Sequence, residues 1–248
     1  MKIIPLSEGS FTIDQTKIFI PFNKDRDDLK QRAAGSLLVE IQPFVIITTI
    51  DIIVIDTGLG FTNTAGVLQI HQNLLDNGIK PENVTKVLLS HLHKDHAKGI
   101  TMKGDTPGHR KLSFPNAMYY VAKNEMGYAF EKGMPSYDTS DFDVLISSGK
   151  IILLQEINGH IGDEITYEVT GGHCPYHTVY WIKENDEIIF FGGDVAPQLQ
   201  QIKSRLVAKY DFDGKKSMEL RSEWWKKSEA ENWTFLFYHD IKTPYLKR

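Results

Sequence analysis

Ser90-His91-Leu92-His93-Lys94-Asp95-His96 directly follows the apolar run Val87-Leu88-Leu89. Three histidines and an aspartate within six residues are hard to explain as packing, because burying an imidazole or a carboxylate without a partner costs free energy. A metal ion is the usual partner of such a set. Side chains two apart lie on the same side of a strand, so His91 and His93 can reach one ion as the strand frays. Asp95 and His96 fall in the following turn and can reach a second. Imidazole and carboxylate suit zinc, manganese or iron, and without a thiolate there is no reason to expect a closed structural zinc site.

With 248 residues and 41% hydrophobic side chains, the chain can bury one large core and reads as a single domain, 1–248. The net charge of −4, with Lys/Arg runs no longer than dipeptides such as Lys215-Lys216, gives no basic footprint for nucleic acid. Cys174 stands alone, so no internal disulfide forms. Pro5, Glu8 and Asp14 interrupt the N-terminal apolar residues before they reach the length of a signal peptide. Asp51 and Asp56 break the longest apolar stretches well short of a membrane span. A cytoplasmic protein acting on a small molecule, with neither nucleic acid nor membrane as partner, is the expectation.

Outward from the motif, β-branched runs at 37–41, 44–49 and 52–55 read as neighbouring strands, the third ending in Asp56-Thr57-Gly58-Leu59-Gly60. Asn63 or Thr64 is expected to cap a helix running to Asn77, on which His71 is an ordinary surface or packing residue. A strand at 86–89 then carries the histidine motif, and strand–helix–strand order with chemistry at strand ends is an α/β arrangement. The stretch 99–111 reads as a loop, with His109 facing solvent. A strand at 117–122 precedes a helix at 124–132. The connection 133–148 either covers the site or is a surface excursion. Strands follow at 151–154 and 165–169, then a hairpin of 178–182 and 187–191, a helix at 216–231 with Leu220, Trp224 and Trp225 facing the core, and a strand at 233–237. The charged run 23–28 reads as a solvated loop or helix start, with a substrate entrance or dimer contact as alternatives. The two strand-rich halves suggest two packed sheets.

Four strand ends thus offer His91, His93, Asp95 and His96 together, then His173, Asp194 and His239. Seven such groups suffice for two metals sharing one carboxylate, as a two-metal hydrolytic site requires. Asp56-Thr57-Gly58 is also the signature of an aspartic protease, but no second Asp-Thr-Gly or Asp-Ser-Gly exists to complete the pair. Cys174 could serve as a nucleophile beside His173, yet a metal-bound histidine is unavailable as its base, and a small residue packed under the loop is the better reading.

Through Asp56-Thr57-Gly58, His91-Leu92-His93-Lys94-Asp95-His96, Gly172-His173, Gly193-Asp194 and His239, the sequence resembles the metallo-β-lactamase superfamily from about Ser36 to Asp240. The resemblance implies an α/β fold, the four-layer αβ/βα sandwich, with two β-sheets face to face, helices outside and metals at one edge. It places His91, His93 and His173 on one metal and Asp95, His96 and His239 on the other, with Asp194 bridging. Asp56 would fix the motif loop without binding metal, and His177 would stand beside the site. The cofactors implied are two divalent ions, zinc first, with manganese or iron accepted by the same ligands.

Length, Gly193-Asp194-Val195-Ala196-Pro197 and His239-Asp240 resemble the branch containing N-acyl homoserine lactonases and methyl parathion hydrolase, which also suggests a homodimer. Those lactonases carry a tyrosine three residues after the bridging aspartate, where this chain has Pro197, so Tyr137 becomes a candidate substrate contact. The expected activity is hydrolysis of an ester, lactone or phosphoester by a hydroxide bridging two metals, with Asp95 and Asp194 catalytic. Pocket walls come from 99–111, 133–148 and 195–212. The alternatives are a di-iron oxygenase of the same fold and a non-catalytic metal-binding scaffold.

Overall fold

The computed structural model describes the whole chain apart from Pro107, so that this residue of the expected 99–111 pocket wall lies outside the described residues. The first half comprises β1 (Lys2–Pro5), β2 (Gly9–Ile13), β3 (Phe19–Phe22), β4 (Leu37–Ile41), β5 (Phe44–Ile47), β6 (Ile52–Ile55), α1 (Gln69–Asp76), β7 (Lys86–Leu88) and α2 (Lys94–Ala97). It continues through β8 (Thr101–Lys103), β9 (Arg110–Leu112), β10 (Met118–Ala122), α3 (Lys123–Lys132), α4 (Phe142–Ser147) and β11 (Ile151–Leu154). The second half holds β12 (Asn158–Ile161), β13 (Ile165–Val169), β14 (Thr178–Glu184), β15 (Glu187–Phe191), α5 (Leu199–Ile202), α6 (Gly214–Glu231), β16 (Trp233–Leu236) and β17 (Tyr245–Lys247).

Two six-stranded sheets organise these elements, in the orders β1-β5-β6-β7-β10-β11 and β12-β13-β14-β15-β16-β17. In the first sheet β6, β7, β10 and β11 run parallel, so β6 and β7 finish at the same edge. In the second, β15 and β16 are parallel with α6 between them in sequence. A small sheet β3-β2-β4 adds to one side.

Strand residues alternate between two environments, which is what makes the fold four layers deep. Phe44, Ile46, Ile53, Ile55, Leu88 and Tyr120 of the first sheet meet Tyr180, Ile182, Ile189, Phe191 and Leu236 of the second in one buried cluster. Their neighbours Val45, Val54, Val87, Tyr119 and Val121 point the other way and pack on Ile70 and Leu74 of α1, Met126 and Ala129 of α3 and Leu145 of α4. On the far side, Val179, Phe190, Trp233 and Phe235 pack on Ile202 of α5 and Trp224 of α6, with Leu220 and Trp225 at the margin. The helix–sheet–sheet–helix sandwich implied by the resemblance is therefore the observed architecture.

Several local expectations are corrected. Asn63 does not cap the helix: its Oδ1 accepts from the Ala65 and Val67 amides and closes a separate turn, and α1 begins only at Gln69. A side chain that satisfies nearby amides outside a helix competes with helix entry. The stretch 99–111 is partly the hairpin β8-β9, not simply a loop. It pairs through short polar strands without clear alternation. β12 and β17 were not anticipated, since Asn158-Gly159-His160-Ile161 and Tyr245-Leu246-Lys247 carry too few apolar residues to read as strands. His71 is buried against Phe114, and His109 is exposed, both as expected. Residues 24–28 are exposed. The connection 133–148 is not a surface excursion: Tyr137 and Phe142 are buried, and the Lys94 amide donates to the Ser136 carbonyl at 2.9 Å.

The turn after β6 is held unusually close to the end of the motif. A Cβ on Gly99 would stand 2.0 Å from the Thr57 carbonyl oxygen, a backbone atom that cannot swing away. Gly99→Ala should therefore destabilise the protein by about 1–3 kcal/mol, as overpacking of a tight contact does, measured by urea denaturation.

Candidate metal centre

The edge where β6, β7, β13, β15 and β16 end collects the polar residues of interest. His91, His93, Asp95 and His96 follow β7; His173 follows β13; Asp194 lies in the short turn Gly193–Val195 after β15; His239 follows β16. Three hydrogen bonds tie the two sheets together here: Thr178 N–H to the Ser90 carbonyl (2.8 Å), Tyr180 O–H to the Leu89 carbonyl (2.9 Å) and Tyr238 O–H to the Asp95 carbonyl (2.7 Å).

All seven sequence-predicted ligands converge. His91 Nε2 lies 2.9 Å from His93 Nδ1, and His173 Nε2 lies 3.1 Å from the same atom. Asp95 Oδ2 lies 3.6 Å from both His96 Nε2 and His239 Nε2. Asp194 stands between the two groups, Oδ2 being 3.3 Å from His173 Nε2 while Oδ1 is 3.2 Å from His96 Nε2 and 3.1 Å from His239 Nε2. The sets His91–His93–His173 and Asp95–His96–His239 each bring their donor atoms within 4.8 Å of one another, the spread that one ion can gather.

The second ring nitrogen of four of these histidines is engaged behind the centre, which fixes each ring and aims its other nitrogen inward. His96 Nδ1 bonds Asp56 Oδ2 at 2.7 Å, and Asp56 also accepts from the Ser90 amide and hydroxyl, both at 2.7 Å. His91 Nδ1 pairs with Ser90 Oγ at 3.0 Å, and His239 Nδ1 with the Glu40 carbonyl at 2.7 Å. His173 Nδ1 pairs with Asp211 Oδ1 at 3.0 Å. Asp56 thus holds the motif without facing the donors. His177 is fully buried beside His91, and its Nε2 accepts the Asp194 amide at 3.1 Å, so that it too stays outside the donor set. Gly193 makes that approach possible: with φ at +47°, its missing Cβ would stand 2.5 Å from His177 Nε2.

The electrostatics divide along the same line. Burial drives His91 and His93 well below the usual imidazole range, leaving the neutral donors that a metal requires. Burial opposes charge at His96 too, but Asp194, Asp95 and Asp56 outweigh it and raise that ring well above the usual range. At His239 burial is likewise outweighed, chiefly by Asp194. Asp194 itself is held well below the carboxylate range, the cost of burial being overcome by His239, His96 and His173. His96 Nε2 and Asp194 Oδ1 are sealed from solvent with no hydrogen-bond partner among the described residues. Convergent nitrogen and oxygen donors, carboxylates that demand positive charge and orphaned inward atoms fit divalent cations.

The sequence reading missed some supporting residues. Asp211 is 38 positions from His173 and belongs to no motif; its only signal was its place in the expected wall 195–212. Glu125 is fully buried on α3 and joins two ligand loops, accepting from the Leu92 amide at 3.0 Å and from the Cys174 thiol at 3.5 Å. Burial and the neighbouring Glu125 push the Cys174 thiol well up, so it is an un-ionised structural group. Tyr137, the candidate substrate contact, is brought to the site with its ring centroid 4.7 Å from that of His93 and its hydroxyl closed off from solvent, so it presents its ring there.

The profile of the Metallo-beta-lactamase superfamily matches residues 42–239, and the chain belongs to that superfamily. Among solved structures, it is similar to a probable metal-dependent hydrolase from Staphylococcus aureus, with a TM-score of 0.78 and 23% identity over 99% of this chain and 91% of that one. It is also similar to AidC, a dizinc quorum-quenching lactonase in complex with a product (TM-score 0.73, 18% identity, 98% and 88% covered). A third is the hydrolase AbOPH of the beta lactamase superfamily (TM-score 0.68, 23% identity, 99% and 89% covered). At these identities the likeness concerns the fold. A search of curated proteins gives no match.

Asp211→Ala should weaken metal binding about 10–100-fold, with Asp211→Asn recovering part of it, as read by competition with a chelator. Glu8 accepts the Leu59 amide at 2.6 Å beneath the Asp56 turn, and burial pushes its carboxyl from 4.5 up to about 8. A carboxyl raised by folding holds its proton more tightly in the native state, so its contribution is complete below about 4.5 and is lost as pH rises through about 8. Glu8→Gln should gain Tm relative to wild type as pH rises across that window, with the difference levelling off above it.

Proposed function

We propose that the protein, a metal-dependent hydrolase of its superfamily, holds two divalent ions, zinc first, and cleaves an ester, lactone or phosphoester bond in a small molecule. The observation that carries this reading is Asp194, whose two carboxylate oxygens face different donor sets. His91, His93 and His173 would hold one ion, Asp95, His96 and His239 the other, and Asp194 would be shared. Ions at such a pair of sites supply a water acidic enough to ionise near neutral pH and polarise the oxygen of an electrophile.

The chain's own residues do the rest. Asp95 directs Oδ2 at His96 and His239, and its other oxygen accepts the proton of the attacking water and returns it to the leaving group. Asp56, Asp211 and the Glu40 carbonyl keep the rings from turning as charge changes, so little reorganisation accompanies reaction. Neutral His91 and His93 and the anionic Asp194 set the charge balance of the shared region.

Lactones come first among substrates because structural neighbours include N-acyl homoserine lactone hydrolases, one with N-hexanoyl-L-homoserine at its catalytic metal centre. No helix among the described residues is long and apolar enough to cross a membrane. We take the protein to act in the cytoplasm, with a homodimer as the assembly suggested by its resemblance.

Metal-loaded protein should release protons from N-hexanoyl-L-homoserine lactone, and Asp95→Asn should slow this by about 10²–10⁴ with the fold intact. Asp194→Asn should abolish turnover to a similar extent. Near-normal turnover in an Asp194→Asn protein carrying its full metal content would overturn the shared-carboxylate reading. No release from wild type holding two ions would move the substrate to phosphotriesters or other esters.

A further inference from the structure

We propose that Tyr210 is a substrate-contacting residue whose phenol O–H donates a hydrogen bond to the carbonyl or phosphoryl oxygen of a molecule bound beside His173. The inference rests on the hydrolase reading above and adds to it a specific donor for the oxygen on which charge develops.

Position comes first. Tyr210 immediately precedes Asp211, which is pinned to His173 Nδ1, and the next amide, that of Phe212, donates to the His173 carbonyl at 3.0 Å. The backbone around Tyr210 is thereby fixed to the loop of a metal ligand. Its ring lies edge-on to His173 with centroids 6.1 Å apart, and the residue remains 40% exposed, so it reaches both the centre and the solvent side.

The direction of the hydroxyl is set by a relay of amides. Gln198 Nε2 donates to the carbonyl of His239 at 3.0 Å, which turns Gln198 Oε1 toward Gln201. Gln201 Nε2 then donates both to that oxygen, at 3.3 Å, and to the Tyr210 oxygen, at 3.1 Å. The phenol oxygen is therefore already used as an acceptor, and its own hydrogen has no acceptor among the described residues. A hydroxyl oriented by one bond and left with an unspent donor is poised to bind an incoming oxygen.

Other phenols near the centre are not equivalent. Tyr180 and Tyr238 spend their hydrogens on the Leu89 and Asp95 carbonyls, and the Tyr137 hydroxyl is sealed away.

Tyr210→Phe keeps the ring and removes the donor. In metal-loaded protein, kcat/KM for N-hexanoyl-L-homoserine lactone or a p-nitrophenyl ester should fall roughly ten- to hundredfold, the effect of losing one hydrogen bond to a charged oxygen. Inorganic phosphate, titrated calorimetrically, should bind more weakly by a similar factor, with metal content and Tm unchanged. Tyr245→Phe, at an exposed site on β17, is the control and should alter neither. Equal phosphate affinity in Tyr210→Phe and wild type would overturn the inference. So would unchanged hydrolysis, which would leave the hydrolase reading standing. Phosphate binding that depends on Tyr210, in a protein that cleaves no lactone, ester or phosphotriester, would uphold the contact and overturn the hydrolase reading instead.

Discussion

One buried carboxylate sets the geometry on which the centre depends. Asp56 is wholly inside the protein and accepts from the Ser90 amide, the Ser90 hydroxyl and the His96 ring. Each of those bonds would cost about 1–3 kcal/mol if its buried partner were left unmade. To reach all three, Asp56 adopts φ of +54°, a conformation that side-chain-bearing residues rarely occupy. Surrounding structure compensates for that strain: the Thr57 amide donates to the His96 carbonyl at 2.6 Å, Gly99 closes against Thr57, and Glu8 holds the Leu59 amide. The turn after β6 and the turn after β7 are thus one rigid unit, and the histidines of the second are aimed by the first.

The centre lies on the seam between two sheets, and that position explains its donors. Four come from the end of one strand in the first sheet, and three come from separate strand ends in the second. Apolar packing between the sheets holds these ends at a fixed separation, and the Thr178, Tyr180 and Tyr238 bonds set the alignment locally. Sliding of one sheet over the other would pull His173, Asp194 and His239 away from their partners. An ion bound by both groups would resist such sliding, so metal affinity and sheet packing reinforce each other.

Around the donors, the protein assigns its buried acids to distinct tasks. Asp56 and Asp211 hold rings, Glu125 joins the Leu92 amide to the Cys174 thiol, and Asp194 and Asp95 face inward. Arg221, buried without a carboxylate in salt-bridge range among the described residues, donates to the carbonyls of Val195 and Leu206. It clips the turn carrying Asp194 to the loop that carries Tyr210 and Asp211. That loop is therefore part of the centre's framework.

The sequence by itself determined the donors and the layers. Imidazoles and carboxylates at strand ends have few other uses, and near-continuous apolar strands must bury both faces, so His91, His93, Asp95, His96, His173, Asp194, His239 and two packed sheets were legible from residue type and spacing, while the resemblance supplied the helix-covered sandwich. Asp56 and His177 were legible through resemblance, because they sit in the same motifs. Only the tertiary structure decided what supports the donors and where each hydroxyl points. Asp211 and Glu125 reach their partners across long stretches of chain, and the Gln198–Gln201–Tyr210 relay is anchored on the distant His239 carbonyl, so no local period records such pairing. Tyr137 illustrates the difference: its sequence position placed it near the site, but whether a phenol presents its ring or its hydroxyl depends on side-chain packing from elements that meet only when the chain is folded.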